Sequence, residues 1–172
     1  MILILYNIRS VYNVASIFRT ADGAGVSKVF LIGITPTPLD KLGNFRKDFQ
    51  KVALGAERMV KWEYVKSFTA VYKKLRKSAG GRIKILAVEQ DKRAIPYYEF
   101  KAQNEKLKVK NEKRKTENKK KEIALVFGEE TKGLTKSVLD KVDKILEIPM
   151  QGIKESLNVS VAVGVVVYHM NM

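Results

Sequence analysis

The segment Asn158–Tyr168, NVSVAVGVVVY, decides what kind of fold this chain makes. Valine is β-branched and favours strands, so propensity alone predicts one here. Yet Leu157, Val161, Val165 and Tyr168 also fit one face of a helix, with Val159, Val163 and Val166 apolar on the others. A segment hydrophobic on all sides must be buried all round, in a core or against another subunit. Periodicity leaves its type open.

Toward the N-terminus the pattern is plainer. Ile2–Tyr6, Lys28–Ile34, Ile83–Val88 and Ile123–Phe127 are short apolar runs that read as buried strands. Between them, Val14, Ile17, Phe18 and Ala21 have helical spacing, with Asn13 placed to cap that helix and Gly23 and Gly25 to end it. Phe68, Val71, Tyr72, Leu75 and Ala79 repeat the spacing up to a stop at Gly80-Gly81. Thr35–Lys47, with Pro36 and Pro38, reads as an irregular loop. Strands alternating with helices predict an α/β fold with a mostly parallel sheet flanked by helices.

At 172 residues the chain is long enough for one domain with a core, and 45% hydrophobic with 30% charged residues is globular composition. There is no cysteine, which excludes disulfide scaffolds, thiol nucleophiles and thiolate metal sites. The single histidine, His169, gives a Ser-His-Asp triad or a His-rich metal site little to work with, so no metal is expected. No window approaches the roughly 18 apolar residues of a membrane span, and Met1–Leu5 is too short for a signal peptide. A cytoplasmic protein with no membrane partner is expected.

Lysine and arginine total 33 against 18 acids, a net charge of +15 that favours a polyanionic partner such as nucleic acid. Residues 101–122 hold ten of the basic residues and four glutamates, and read as a Lys-rich insertion in a single domain spanning 1–172. They form a solvated charge run or a set of RNA phosphate contacts. Neighbouring Tyr97 and Tyr98 are read as packing residues, with base stacking the other option.

Three segments carry polar residues a plain scaffold does not need: Asn7–Gly25 (NIRSVYNVASIFRTADGAG), Val126–Leu134 (VFGEETKGL) and Ile148–Ser160 (IPMQGIKESLNVS). Glycines directly after a strand let a ligand approach the backbone, and the carboxyl edge of a parallel sheet is where α/β proteins bind ligands. Neither glycine turn matches a G-x-G-x-x-G or Walker A pattern, so nucleotide hydrolysis has no support.

In order and spacing these segments resemble the three motifs of the SpoU (TrmH) family of SPOUT-class RNA 2′-O-ribose methyltransferases. Motif one matches Asn13–Asp22, motif two Phe127–Leu134, and motif three Ile148–Gly152 with Ser156–Ala162. The resemblance implies a C-terminal deep trefoil knot, a homodimer, S-adenosylmethionine as cofactor, and methylation of a ribose 2′-hydroxyl in tRNA or rRNA. It makes the valine-rich segment a helix shared between the knot core and the dimer contact. A catalytically inactive RNA-binding or ribosome-assembly protein of the same fold is the alternative.

By the same resemblance, Gly128, Ile148 and Leu157 hold the cofactor, and apolar walls with backbone hydrogen bonds suit an adenine ring. Arg19 matches the catalytic arginine. The resemblance implies a base that takes the 2′-hydroxyl proton or an electrostatic clamp; because a guanidinium stays protonated in proteins, we prefer the reading in which it holds a phosphate or steadies a developing alkoxide. Asn13 matches the motif-one asparagine, and Glu130 the glutamate that orients Arg19 or Asn13. Ser156 and Asn158 match the motif-three pair that shapes the site between subunits. Glu129 replaces a usually small residue and adds negative charge, and Thr131 stands where glycine is common. RNA specificity is expected from this domain, the insertion or a partner.

Overall fold

The computed structural model describes residues 1–78, 83–100 and 122–171. Among the described residues seven strands form one sheet: β1 (Ile2–Tyr6), β2 (Lys28–Ile32), β3 (Trp62–Val65), β4 (Lys84–Val88), β5 (Ile95–Pro96), β6 (Ile123–Phe127) and β7 (Lys144–Glu147). Their order is β3-β2-β1-β6-β4-β7-β5, and every pairing is parallel. Ile4 of β1 lies opposite Phe30 of β2 on one side and Val126 of β6 on the other.

The central strands read as unbroken apolar runs because helices cover both faces. Leu3, Leu5, Leu31, Leu125 and Phe127 point to one face, against α1 (Val11–Gly23), α2 (Lys47–Ala53), α3 (Ala56–Met59) and α6 (Val159–Asn171). Ile2, Ile4, Ile32, Ala124 and Val126 point to the other, against α4 (Phe68–Ser78) and α5 (Lys136–Leu139). Phe18 of α1 meets Phe49 of α2 edge to face, with ring centroids 5.1 Å apart.

The second strand stops at Ile32, short of the expected Ile34, because Gly33 turns to φ +66. Asn7, itself at φ 57, accepts the Ile34 N–H with its side-chain oxygen at 3.2 Å. A Cβ at Gly33 would overlap that oxygen, so the position needs glycine. The buried Thr35 hydroxyl accepts the Ile8 N–H at 3.1 Å, which ties the ends of β1 and β2 together.

The valine-rich segment is helical, against propensity and in line with the resemblance. Val159, Val163, Val166 and Val167 are buried, while Val161 and Tyr168 stay about half exposed, at 50% and 47%. Tertiary burial against α1 outweighs the small helix penalty of valine. The expected insertion at about 101–122 lies outside the described residues apart from Glu122, and the Gly80-Gly81 stop also lies outside them. Among the described residues no helix is long and apolar enough to cross a membrane.

Candidate active site

All seven strands are parallel, so their carboxyl ends share one edge of the sheet, and the three polar segments gather there. The loop after β1 leads into α1. The turn after β6 carries Gly128–Leu134, and the loop after β7 carries Ile148–Asn158.

Asn13 joins all three. Its Nδ2 donates to Oε1 of Glu130 at 2.7 Å, and its Oδ1 accepts from Nδ2 of Asn158 at 3.1 Å. The amide orientations are mutually consistent. Asn158 Oδ1 already accepts the Ser160 N–H at 2.9 Å and the Ser160 hydroxyl at 2.7 Å, which turns its NH2 toward Asn13. That in turn aims the Asn13 NH2 at a carboxylate able only to accept.

The expected capping role of Asn13 is corrected. The N-cap of α1 is Ser10, with extended φ −77 and ψ 117, and its hydroxyl accepts the Asn13 N–H at 3.2 Å. A cap must have non-helical backbone, and Asn13 lies inside the helix. Its side chain is therefore released for the site.

Arg19 lies six residues on, about 9 Å further along the α1 axis. It is exposed and has no hydrogen-bond or ion-pair partner among the described residues. Of the two partners expected for Glu130, the structure shows Asn13. Ser156 is likewise exposed and without a partner among the described residues.

Glu129 is not the free negative charge the sequence suggests. Arg9, in the loop after β1, donates from Nε to Oε2 of Glu129 at 3.2 Å. The Glu129 side chain is 8% exposed and that of Arg9 63%, so the pair caps a nearly buried carboxylate with a solvated guanidinium. Sequence reading missed Arg9, since nothing in its local pattern signals a partner 120 residues away.

The turn after β6 closes on itself. Gly133 donates its N–H to Glu129 O at 3.1 Å and adopts φ +60. A Cβ on Gly128 would lie 2.6 Å from the Gly133 carbonyl carbon, so the two sides of the turn approach this closely only because residue 128 is glycine. Thr131 fits without a positive φ, since Gly133 takes the left-handed position. The Leu134 N–H donates to Oε2 of Glu89 at 2.7 Å, and the Gln90 side-chain amide donates to the Glu155 carbonyl.

Gly128 follows β6 directly, Ile148 follows β7 directly, and Leu157 precedes α6. Ile148 is half-buried against the core, Leu157 is 39% exposed and Ile153 fully exposed. Apolar side chains and main-chain groups of this kind are what an adenine-bearing cofactor uses. Among the described residues no cluster of His, Cys, Asp or Glu could hold a metal ion. A cavity of about 190 Å3 lies elsewhere, lined in part by Lys66, Phe68 and Lys141, and includes none of the expected site residues. Tyr97 packs edge to face on His169, and Tyr98 is 49% exposed.

Known proteins resemble this chain along most of its length. The profile of the SpoU rRNA Methylase family matches residues 1–168. The 23S rRNA (guanosine-2'-O-)-methyltransferase RlmB of Pectobacterium atrosepticum is 30% identical over 167 residues, 97% of this chain and 57% of that protein. A structure that gives insights into the 2-OH methylation of C/U34 on tRNA is 26% identical, with TM-score 0.68, over 97% of this chain and 91% of its own. The AdoMet-bound rRNA methyltransferase from Sinorhizobium meliloti shares the fold, with TM-score 0.73 and 21% identity over 98% of this chain and 54% of its own. The chain spans between a little over half and about two thirds of the length of these curated relatives.

Proposed function

The chain belongs to the SpoU rRNA Methylase family, and on that premise we propose that it methylates a ribose 2′-hydroxyl of tRNA or rRNA, with S-adenosylmethionine as donor. When bound, that cofactor supplies an electrophilic sulfonium methyl for in-line displacement by the ribose oxygen. Gly128, Ile148 and Leu157 would hold it, by main-chain groups and apolar walls. Arg19, with no partner of its own among the described residues, is free to hold an RNA phosphate or offset charge on the 2′-oxygen as its proton leaves. Asn13, Glu130, Ser156 and Asn158 would orient the reactants, which is where most of the rate would come from.

The observation that carries this reading is the Asn13 side chain held at both ends, by Glu130 and by Asn158, on the helix that bears Arg19. A single structural bond would serve to dock α1. Joining three loops at a sheet's ligand-binding edge suits a site.

The test is transfer of labelled methyl from S-adenosylmethionine to total RNA, followed by digestion to nucleosides. Label in a 2′-O-methylnucleoside is the expected result. RNA binding with no transfer by wild-type protein would sink the proposal in favour of the inactive RNA-binding alternative. A pH–rate profile of Arg19→Lys against wild type separates a proton-taking arginine from an electrostatic one, and an unchanged rate in Arg19→Ala removes both roles.

Two features of the family reading extend the proposal. The exposed apolar residues Ile153, Leu157, Val161 and Tyr168 lie on α6 and the loop before it, and a second copy of the chain would cover them. A trefoil knot would follow from threading this end of the chain through a loop. It rests on the match of residues 1–168 to the family. The domain reading stays single, with Lys-rich residues 101–122 adding positive charge for RNA phosphates.

A further inference from the structure

Strand β4 lies between β6 and β7 in the sheet, so its carboxyl end is the floor between the turn after β6 and the loop after β7. Glu89 and Gln90 occupy that floor, and neither stood out in the sequence. The Glu89 N–H donates to Leu146 O of β7 at 2.9 Å. Its Oε1 accepts the Gln90 N–H at 3.1 Å, and its Oε2 accepts the Leu134 N–H at 2.7 Å. Amide bonds to a carboxylate are about twice as strong as neutral ones.

The same carboxylate presses on Gly133, where a Cβ would overlap it. Gly133 in turn touches Gly128, where a Cβ would lie 2.8 Å from the Gly133 carbonyl oxygen. The Glu89 carboxylate thus lies against Gly133, and the Gly133 backbone lies against Gly128, which puts Glu89 two contacts from Gly128. On the other side, Gln90 holds the Glu155 carbonyl, just before Ser156 and Leu157.

We propose that Glu89 and Gln90 are positioning residues that set the width of the cofactor cleft, Glu89 by bracing the Gly128–Leu134 turn and Gln90 by tethering the loop that carries Leu157. The inference rests on the reading that Gly128 and Leu157 border the S-adenosylmethionine site. Neither residue needs to touch the reacting atoms.

The test is calorimetry with S-adenosylmethionine, together with steady-state kinetics and RNA binding, on the full chain. Glu89→Ala is expected to raise Kd and KM for the cofactor about 10-fold, with kcat and RNA Kd nearly unchanged. Glu89→Gln keeps an oxygen for the Leu134 N–H and is expected to recover most of the loss. Gln90→Ala, at an exposed side chain, is expected to raise the cofactor Kd about 3-fold.

A folded Glu89→Ala with wild-type cofactor affinity overturns the inference. So does a parallel loss of cofactor and RNA affinity, which marks a merely structural role. Should Glu89→Ala not fold, an unchanged Kd in Gln90→Ala overturns it instead. A wild-type chain that binds no S-adenosylmethionine overturns the methyltransferase reading and this inference with it.

Discussion

Asn13 donates to Glu130 at 2.7 Å across 117 residues of sequence, linking the first helix to the glycine turn after β6. Because Ser10 caps α1, this bond can be removed without removing the helix start. Asn13→Ala is expected to lower kcat/KM about 100-fold, the effect of a small displacement of reacting groups. Stability should fall by only about 1 kcal/mol. Methyl-transfer kinetics and denaturant unfolding on the same preparation check both.

Gly128→Ala places a Cβ 2.6 Å from the Gly133 carbonyl carbon, and backbone on both sides leaves no soft neighbour to yield. The turn must open. Calorimetry is expected to show at least about 10-fold weaker cofactor binding, while near-ultraviolet circular dichroism reports an intact core.

Arg9 and Glu129 form another long-range link, at 3.2 Å. Arg9→Met strands a carboxylate only 8% exposed, and is expected to cost about 1 kcal/mol, a modest figure because Arg9 itself is solvated. Adding Glu129→Gln should return most of that loss. A double-mutant cycle with no coupling would contradict the pairing.

Val161 is 50% exposed on the outward face of α6, beside the exposed Tyr168. Val161→Glu is expected to shift sedimentation from dimer to monomer at micromolar concentration, since a second copy would have to bury the new charge. Wild-type protein that sediments as a monomer would remove the dimer from the proposal.

Asp91 accepts from the Arg93 guanidinium at 2.8 Å and from its backbone N–H at 2.9 Å. These bonds hold its pKa at about 2, below the ordinary 3.8. A depressed folded-state value means the contribution is complete above the ordinary value and disappears as pH falls through about 2. Carboxyl-carbon titration by NMR is expected to give a midpoint near 2 for wild type, returning toward 3.8 in Arg93→Ala.

What the sequence reveals varies by element. Ile2–Tyr6 and Ile123–Phe127 are legible because central strands of a parallel sheet are buried on both faces. Trp62–Val65 is not, since β3 is an edge strand with none of its residues fully buried. Lys144–Glu147 escapes for a similar reason: only Ile145 and Leu146 are buried, between two charged ends. In the candidate site, motif order marks Asn13, Glu130 and Asn158, while their mutual bonds leave no local trace.

Local chemistry was enough for the α/β alternation, the apolar face of α1 and the polar residues gathered at the sheet's carboxyl edge, because each depends on neighbours within a few turns or one strand. Tertiary contacts decided the rest. Burial against α1 made the valine-rich segment helical, Ser10 took the cap that Asn13 was expected to fill, and Arg9 neutralised Glu129. Such outcomes depend on partners more than a hundred residues distant or on competition for one backbone position, and no short window of sequence contains either.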